Sequence, residues 1–448
     1  MNLKKGLAIC LAGGMAFSMV ACGNSGGTSS DSGAASGGAK TSVAADTTSA
    51  SGEAAAGDTI KVGVLLPLSG ATSYYGNIQL QGAQLCADYV NENHLVDGTI
   101  ELDVQDSASD PETGVSAFEK LVDDGCVAVV GPYNSTVAAS TAPLAIQYGV
   151  PYVITNATGE TFMNTENKYV YRTNTGSTDG DVFIKQVVDY LNEVRPDDPL
   201  DSVAVIYDEG DWGTSAVQSW QANADEYGYK VTVAESVSES TTDMSTIVNK
   251  IKQNDCDIAI VAAFSGATNM LVQAMSDYGC DTKIVGLGGG VGETNFIENC
   301  GDSAETVMYT APWIPAYGGA SDEAEEWRQK YIDEYGEDMT MEPCWGWLGM
   351  AAVTNAISEA GSADREAIAD ALYNMDLGSD NYAMMFSAYD GIHFATEGQT
   401  SPAYEGTRYN QNDRLGENDG MVLTQVQNGE WTIVYPTSYN DGKDTIEY

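Results

Sequence analysis

Short hydroxyl and amide side chains follow two apolar runs near the middle of the chain. The run CVAVVGP precedes Asn134–Thr136, and the run VPYVI precedes Asn156–Thr158. Continuous apolar runs of this length predict neighbouring buried strands of a parallel sheet, whose carboxyl ends meet at one edge. A helix predicted over 135–149, with Ser135 in the capping position, offers free backbone N–H groups at that edge. These groups suit a carboxylate or another anion, and ordinary helix caps and turns are the alternative interpretation.

Aromatic side chains follow other apolar runs that have the length of strands. Tyr74 and Tyr75 come after IKVGVLLPL, Trp212 comes after SVAVIYD, and Phe264 ends DIAIVAAF. In a parallel sheet these residues share the functional edge with the polar turns. Together they indicate a small-molecule pocket, although one or two of them could instead be hydrophobic plugs of loops.

Signals for catalysis are weak. No HExxH or GxxxxGK[ST] motif occurs, and His94 and His393 have no recognisable triad neighbours. GNSGG around Ser25 matches a nucleophile elbow by chance, since no strand precedes it and no helix follows. GLGGGVG (286–292) has Val291 where a dinucleotide fingerprint needs its third glycine. We therefore interpret this segment as a flexible strand-to-helix turn. We therefore expect a binding protein without catalytic residues or a cofactor.

Composition excludes further classes of function. The chain has 448 residues, enough for two or three domains, and 65 acidic against 19 basic side chains give a net charge of −46. A surface this acidic repels nucleic acid and anionic lipid headgroups, so we expect no nucleic-acid partner. Eight cysteines without a CxxC pair and two histidines do not have the spacing of a zinc site, and cysteine pairing stays open.

The first 58 residues have the pattern of an exported, anchored protein. Lys4 and Lys5 precede an apolar stretch too short to span a bilayer, which ends at Cys22. The run MVAC resembles a bacterial lipobox, which implies cleavage before Cys22 and acylation of its thiol; Cys10 is the weaker candidate. Residues 1–21 are thus predicted to be a lipoprotein signal peptide. Residues 22–58, rich in Gly and Ser, form a predicted tether at the extracellular face of the cell membrane.

From Thr59 onward, apolar strands alternate with segments of helical length. About nine strands are predicted before residue 313, which fits two doubly wound α/β lobes better than one sheet. A (β/α)₈ barrel is the competing architecture. Near the end, two short runs flank Asn428-Gly429, a strong hairpin signal.

The chain from about Ile60 to Pro436 resembles the Leu/Ile/Val-binding type of extracellular solute-binding protein of ABC transporters. The matching stretches are IKVGVLLPLSG, YYGNIQLQGAQLCADYVN, DSASDPETGVSAFEKLVDDG, VAVVGPYNS, GVPYVITNAT, YVYRT, VAVIYDEGDWG and NGEWTIVYP. The resemblance implies a type I periplasmic-binding-protein fold: two Rossmann-like lobes, joined by three crossovers, which close on a ligand and deliver it to an ABC permease. The implied first lobe comprises 59–176 and 309–390, and the second comprises 177–308 and 391–448.

The same resemblance implies which residues hold the ligand. In such proteins the first lobe binds the α-carboxylate and α-ammonium of an amino acid through two turns, and aromatic residues enclose the rest. The corresponding positions here are Tyr75, Asn134, Ser135, Asn156, Ala157, Thr158, Trp212 and Phe264.

One departure from the family pattern concerns the ligand's ammonium group. The amino-acid binders place an acid after the strand matching TKIVG, whereas this chain has Gly288 or Gly289 there. A buried ammonium without a countercharge is costly, so Glu293, Asp208 or Asp211 is expected to substitute. If none of them does, an amide, a short peptide or another small carboxylate fits better.

Two other functions use the same scaffold. A sensory receptor module would report the ligand to a signalling partner, but we expect no output domain after Tyr448, which favours transport. An enzyme would need a nucleophile and a base, and no such constellation is recognisable.

Overall fold

The β–α alternation expected after Thr59 is present in the computed structural model. The structure describes residues 59–176, 180–238, 240–293, 295–311, 321–387, 389–401, 404–414 and 421–435. The predicted signal peptide, Cys22 and the predicted tether lie outside these residues. Among the helices of the described ranges, none combines the length and the apolar character that crossing a bilayer requires.

The first sheet contains five parallel strands in the order β2-β1-β3-β4-β5. Its strands β3 and β4 are short and fully buried, as expected for strands covered on both faces. In chain order the elements are β1 (Thr59–Leu66), α1 (Ser73–Glu92), β2 (Thr99–Asp106), α2 (Pro111–Asp123), β3 (Ala128–Val130), α3 (Ser135–Tyr148), β4 (Tyr152–Ile154) and β5 (Val170–Arg172).

The second sheet repeats the alternation and has the strand order β16-β15-β10-β9-β8-β6-β7. Its first elements are α4 (Gly180–Val194), β6 (Ser202–Asp208), α5 (Asp211–Ala222), α6 (Ala224–Tyr227), β7 (Lys230–Val237), α7 (Ser245–Gln253), β8 (Ile258–Ala262), α8 (Ser265–Asp277), β9 (Lys283–Leu287), α9 (Phe296–Cys300) and β10 (Met308–Ala311). Strands β6 to β10 are mutually parallel.

The remaining elements are α10 (Asp322–Tyr335), α11 (Met341–Ala360), α12 (Arg365–Tyr373), β11 (Asp376–Gly378), β12 (Gly391–His393), β13 (Gln399–Ser401), β14 (Tyr404–Arg408), β15 (Val422–Gln427) and β16 (Glu430–Tyr435). Of these, β15 and β16 complete the second sheet, and β11–β12 and β13–β14 form two separate antiparallel pairs. Helix α11 packs on α1, β3 and β4, whereas the hairpin β15–β16 pairs antiparallel with β10. We call β1–β5 with α1–α3 and α10–α12 the first lobe, and β6–β10, β15 and β16 with α4–α9 the second lobe.

Two glycines allow α1 and α11 to pack closely. A Cβ atom at Gly82 would lie 1.8 Å from the carbonyl oxygen of Pro343, and one at Gly346 would lie 2.0 Å from that of Gln79. Because no side chain fits at either position, the backbones of the two helices are in contact. This contact fixes the first turn of α11 next to α1.

Local sequence signals at one helix start and one hairpin are present in the structure, and one local prediction is wrong. The side chain of Asp110 caps α2 by accepting a hydrogen bond from the Thr113 N–H at 2.8 Å. Asn428 and Gly429 have φ values of 55° and 78° and form the tight turn of the β15–β16 hairpin. Ser135, however, is the first residue of α3, and Asn134 is in the capping position with extended backbone.

The chain passes between the sheets after β5, after β10 and before β15, which gives the three expected crossovers. Two separate open sheets exclude the (β/α)₈ barrel. The strand pairing departs from the expected boundaries at two places. Met308–Ala311 pairs with β9 in the second sheet, although 309 was expected to begin a first-lobe segment. Asn410 and Asn412 hydrogen-bond with the backbone of Arg172 in β5, although 391–448 was expected in the second lobe. The division into lobes otherwise stays a prediction.

The cysteines of the described ranges form no disulfide. Five of them are buried and Cys280 is partly buried, and all are free thiols: Cys86, Cys126, Cys256, Cys280, Cys300 and Cys344. Burial raises the pKa of the Cys126 and Cys300 thiols to about 11, which keeps these two groups protonated and unreactive near neutral pH. Within these ranges the cysteines therefore have the character of core residues.

Candidate functional site

A cleft with a volume of about 670 Å³, counting the part open to solvent, lies where the two lobes face each other. Both sheets contribute the carboxyl ends of their strands to it, as expected for ligand sites of open α/β sheets. The described residues that line it are Tyr133, Asn134, Ser135, Asn156, Thr158, Asn174, Trp212, Ala216, Phe264, Leu287, Gly288, Gly289, Thr310, Met341, Trp345 and Met421. Seven residues proposed from the sequence are among them: Asn134, Ser135, Asn156, Thr158, Trp212, Phe264 and Gly289.

On the first lobe, the N-terminus of α3 faces the cleft. The side chain of Asn134 makes no capping bond to the helix and instead accepts a hydrogen bond from Thr72 Oγ1 at 3.1 Å. Ser135 Oγ accepts a hydrogen bond from the Gly159 N–H at 3.0 Å, which leaves the hydroxyl hydrogen of Ser135 to donate. The first N–H groups of α3 are thus not satisfied by a side-chain cap, and they can meet an anion.

The turn after β4 contributes Thr158 to the cleft, but its neighbours have structural roles. The Asn156 amide is engaged on both sides: Nδ2 donates to Glu342 Oε2 at 3.1 Å, and Oδ1 accepts from Asn174 Nδ2 at 2.9 Å. Ala157 is fully buried in the first-lobe core and does not line the cleft. Of this turn, the hydroxyl of Thr158 is therefore the better candidate to contact a ligand.

The second lobe contributes an apolar wall. The Trp212 and Phe264 rings lie 5.1 Å apart between centroids, and Ala216 and Leu287 extend the same surface. Gly289 has a φ of 56°, and a Cβ atom there would lie 2.8 Å from the Trp212 ring. Glycine at this position therefore allows the indole to pack directly on the backbone after β9.

Tyr75 and Glu293 lie behind the cleft and do not line it. The buried Tyr75 ring stacks on Tyr133, with centroids 4.9 Å apart and an interplanar angle of 5°. Its hydroxyl lies 2.5 Å from Ser265 Oγ, and the Ser265 hydroxyl donates to Glu293. Burial and the charge of Glu293 raise the pKa of Tyr75, so the phenol stays protonated and donates to Ser265. This chain of hydrogen bonds connects the two lobes.

The other two acids considered as countercharges are also engaged outside the cleft. Asp211 Oδ2 accepts a hydrogen bond from Thr161 Oγ1 at 3.2 Å, and burial raises the pKa of this carboxyl group. Asp208 Oδ1 accepts from the Gly210 N–H at 2.9 Å. None of the described lining residues carries a formal charge. The described ranges also contain no group of three His, Cys, Asp or Glu side chains that could hold a metal ion.

Glu342 is a buried carboxyl group that sequence reasoning missed. It lies in the first turn of α11, next to Met341 of the cleft wall, and accepts hydrogen bonds from Gln79 Nε2 at 2.8 Å and from Asn156. Burial raises its pKa to about 7, and the negative charge of Glu293 contributes to the shift. In the sequence it looks like an ordinary acid at a helix N-terminus, and no local signal marks it as buried.

Other lining residues were not identified from the sequence. Tyr133 had a signal, because it directly precedes Asn134 in a turn already considered, and Gly288 was weighed together with Gly289. Thr310 and Met421 lie close in sequence to places where the chain crosses between the lobes, and Met341 and Trp345 lie at the start of α11. Nothing in a linear pattern indicates that such segments reach the cleft.

A buried ionic cluster, formed by Glu160, Arg172 and Arg408, lies near the first and third crossovers. Glu160 accepts hydrogen bonds from Arg172 Nη2 at 3.3 Å and from Arg408 Nη1 at 3.4 Å. Arg172 Nε also donates to Gln411 Oε1 at 2.6 Å. A Cβ atom at Gly176 would lie 2.0 Å from Glu160, so the cluster packs tightly on the first crossover.

Comparison with known proteins agrees with this geometry. The family model described as periplasmic binding protein matches residues 59–413. The Leu/Ile/Val-binding protein homolog 7 of Brucella suis is 24% identical over 395 residues, which cover 86% of this chain and 93% of that protein. The resemblance to Leu/Ile/Val-binding proteins stated from the sequence is thereby confirmed.

Two solved structures share the architecture. The branched-chain amino acid transporter substrate binding protein LivJ from Streptococcus pneumoniae, in complex with isoleucine, aligns with a TM-score of 0.66 at 21% identity. The alignment covers 85% of this chain and 100% of that one. An ABC transporter solute binding protein from R. palustris, in complex with 4-hydroxybenzoate, aligns with a TM-score of 0.63 at 22% identity. This alignment covers 84% of this chain and 95% of that one. Since the family model spans most of the chain and these neighbours have the same two lobes, the chain belongs to the periplasmic binding protein family and has its type I fold.

Proposed function

We propose that the protein captures a small carboxylate, a branched-chain amino acid or a close relative, when its lobes close, and delivers it to an ABC permease. The observation that carries this proposal is the pairing of two unlike walls across one cleft. On one side, Ser135, Thr158 and the N-terminus of α3 offer hydrogen-bond donors to an anion. On the other side, Trp212 and Phe264 offer apolar surface to the rest of a small molecule.

The relatives support the same class of ligand. The protein from Brucella suis is named for leucine, isoleucine and valine, and the streptococcal protein holds isoleucine. The protein from R. palustris holds 4-hydroxybenzoate, which is a carboxylate without an ammonium group. A carboxylate is the feature common to these ligands, and it is also what the first-lobe wall of this chain suits.

A carboxylate without an ammonium group is a second candidate ligand, as is an amide or a short peptide. The described lining residues provide no countercharge, and Glu293, Asp208 and Asp211 are engaged elsewhere. Burial of an unpaired ammonium group is costly, so the uncharged cleft favours a ligand with little or no positive charge. Glu342 is the buried carboxyl group next to the cleft wall, and it already accepts two amide donors.

The cellular role follows from the family and from the N-terminal sequence. Family members are periplasmic or extracellular solute-binding proteins. We further propose that Cys22 carries a lipid anchor and that residues 22–58 tether the binding domain at the extracellular face of the membrane. The permease partner and the lack of catalytic activity are part of the same proposal.

A thermal-shift screen tests the proposed ligand class. The panel contains branched-chain amino acids, their amides, short peptides and simple carboxylates such as 3-methylbutanoate and benzoate. A ligand that binds only the folded state at a hundred times its Kd stabilises the protein by about 2.7 kcal/mol, so the melting temperature rises measurably. Isothermal calorimetry on each hit gives the stoichiometry, which we expect to be one ligand per chain. The absence of any shift, together with measurable hydrolysis of a panel member, would contradict the proposed function.

A further inference from the structure

Two buried polar groups in the wall of the cleft have no hydrogen-bond partner within the protein. They are the hydroxyl oxygen of Thr310, on β10, and the indole nitrogen of Trp345, on α11. Both residues line the cleft, and their exposed fractions are only 1% and 2%. A buried polar group without a partner costs about 1–3 kcal/mol, so groups of this kind in a native protein call for an explanation.

Two nearby side chains of the same types are satisfied. Trp347, two residues further along α11, donates its indole N–H to the Tyr382 carbonyl oxygen at 3.0 Å. Thr424, on the strand beside β10, donates its hydroxyl to the Tyr309 carbonyl oxygen at 2.9 Å. In the described part of the chain, Thr310 and Trp345 are the lining residues whose buried side-chain polar atoms have no partner. Other buried hydroxyl groups without a partner, for example those of Ser107, Thr175 and Ser219, belong to residues outside the cleft lining, so Thr310 and Trp345 are the two that border the space for a ligand.

No described side chain or backbone group of the wall pairs with either group. Met341, Met421 and Leu287 contribute only apolar side chains to the same cleft. Trp345 can only donate a hydrogen bond, whereas a threonine hydroxyl can donate or accept one. An oxygen acceptor in the cleft that reaches either group would give it a partner, whereas a hydrocarbon would leave both groups without one.

We propose that Thr310 and Trp345 form a polar subsite that selects ligands bearing a hydroxyl or carbonyl oxygen in addition to their carboxylate. This subsite rests on the proposed function, because it presumes that a small carboxylate occupies the cleft. It makes the preferred ligand more polar than leucine, isoleucine or valine. A site built to hydrogen-bond an oxygen rejects the analogue that lacks it, since its own buried groups then stay unpaired.

Isosteric pairs of ligands test the subsite with little change in volume. The pairs are threonine with valine, asparagine with leucine, and 3-hydroxybutanoate with 3-methylbutanoate. In each pair, polar atoms replace methyl groups of similar size. We expect the wild-type protein to bind the polar member at least about tenfold more tightly in one or more pairs, as measured by calorimetry.

Two conservative variants test whether the preference for the polar ligand arises from Thr310 and Trp345. Trp345→Phe removes the indole N–H and keeps an aromatic ring, and Thr310→Val replaces the hydroxyl with a methyl group. Each variant should bring the affinity ratio of the selective pair close to one, while the affinity for the apolar member stays within about threefold of wild type. Trp347→Phe and Thr424→Val are the matched controls, because their polar atoms are satisfied within the protein, and they should leave the ratio unchanged.

The outcomes separate the two proposals. Tight binding of the apolar members, with a ratio near one in the wild-type protein, overturns the subsite and leaves the proposed function intact. A polar preference that persists in both Trp345→Phe and Thr310→Val also overturns it. Binding of no member of any pair, nor of any ligand in the thermal-shift panel, overturns the proposed function and the subsite with it. If circular dichroism shows that one of the two variants does not fold, the affinity ratio of the other variant still tests the subsite.

Discussion

The hydroxyl of Tyr75 lies 2.5 Å from Ser265 Oγ, and this hydrogen bond joins the two lobes directly. Tyr75 belongs to α1 of the first lobe, whereas Ser265 is the first residue of α8 in the second lobe. Ser265 in turn donates to the buried Glu293, so the acid expected to hold the ligand's ammonium is part of an interlobe contact. The arrangement stabilises the approach of the lobes next to the cleft without lining it.

Removal of the Tyr75 hydroxyl should weaken ligand binding. In Tyr75→Phe the ring can still stack on Tyr133, but the hydrogen bond to Ser265 is lost. A neutral hydrogen bond contributes about 1 kcal/mol, so we expect an affinity loss of about fivefold, measured by calorimetry. Tyr152→Phe is the control, because its hydroxyl contacts Thr141 within the first lobe. Equal effects of the two variants would show that the bond has no role in closure.

Donors of the first-lobe wall should contribute to carboxylate affinity. Ser135→Ala and Thr158→Ala each remove the hydroxyl of a residue that lines the cleft, and a charge-assisted hydrogen bond is worth on the order of 1–3 kcal/mol. We expect calorimetry to show a corresponding loss for each variant. Ser140→Ala is the control, because that hydroxyl bonds to the Thr136 carbonyl oxygen further along α3. Unchanged affinity in both test variants would mean that the ligand's anionic group binds elsewhere.

A side chain at Gly159 should oppose closure of the lobes. A Cβ atom there would lie 1.9 Å from Asp211 Oδ2 on the second lobe and 2.9 Å from Ser135 Cβ. Gly159→Ala should therefore reduce ligand affinity by about threefold or more, since the Asp211 side chain must rotate out of its hydrogen bond with Thr161, or the lobes must separate, to relieve the clash.

Two further variants identify the cause of that loss. Gly266→Ala is a control on an open surface, where a Cβ atom meets nothing within 4 Å. The double variant Gly159→Ala/Asp211→Ala should recover part of the lost affinity, because the closest atom of the clash is removed. If the second change brings no recovery, the contact between Gly159 and Asp211 does not limit closure.

Glu342 should make the stability of the protein depend on pH. Its pKa of about 7 in the folded protein lies above the ordinary value of 4.5. Between these two values the folded state holds a proton that the unfolded state has lost, so the free energy of unfolding falls as pH rises through this window. The fall amounts to on the order of 3 kcal/mol and is complete above about pH 7.

Glu342→Gln should remove most of this fall, because an amide does not titrate. Urea unfolding at pH 5 and pH 8 measures the difference in the free energy of unfolding for each protein. Glu101→Gln, which removes one charge from an exposed position of β2, controls for the change in net charge. An equal pH dependence in wild type and Glu342→Gln would show that Glu342 does not titrate in this window.

Cys22 should determine attachment to the membrane. Cys22→Ser removes the thiol that the lipobox resemblance assigns to acylation, so the variant should appear in the soluble fraction of bacterial cells that process lipoproteins. Cys10→Ser changes a cysteine inside the apolar part of the predicted signal peptide and should leave attachment intact. Membrane fractionation with immunoblotting measures both. Retention of Cys22→Ser in the membrane fraction would contradict lipid anchoring at this residue.

Sequence patterns predicted the elements of the fold more completely than the site. Buried parallel strands are short apolar runs, and the helices between them carry local signals such as Asp110 before Pro111 or Gly149 after Tyr148. Ser135, Thr158, Trp212 and Phe264 lie in the turns that follow strands or in the first helical residues after those turns, so the topology of a parallel sheet places them at the cleft. The positions of these residues depend only on which turn follows which strand, and this order can be read from the sequence.

The missing part of the site depends on long-range packing. Thr310 and Trp345 reach the cleft because the chain returns between the lobes and because glycines allow α11 to approach α1 closely. Glu342 is buried by partners such as Gln79, 263 residues away in sequence. Conversely, Ala157 and Glu293 occupy expected turns, but their surroundings direct them into the first-lobe core and into an interlobe hydrogen bond. No periodicity or motif encodes such contacts.

The burial of Arg172 and Arg408 has a consequence for proteolysis. They are two of only 19 basic residues in the chain, and they have exposed fractions of 0% and 3% near the first and third crossovers. Trypsin cleaves after arginine and lysine, so the peptide bonds that follow these two residues are protected while the ionic cluster is intact. Nicking at these two bonds therefore reports how often the crossovers open, and ligands that hold the lobes together should slow it.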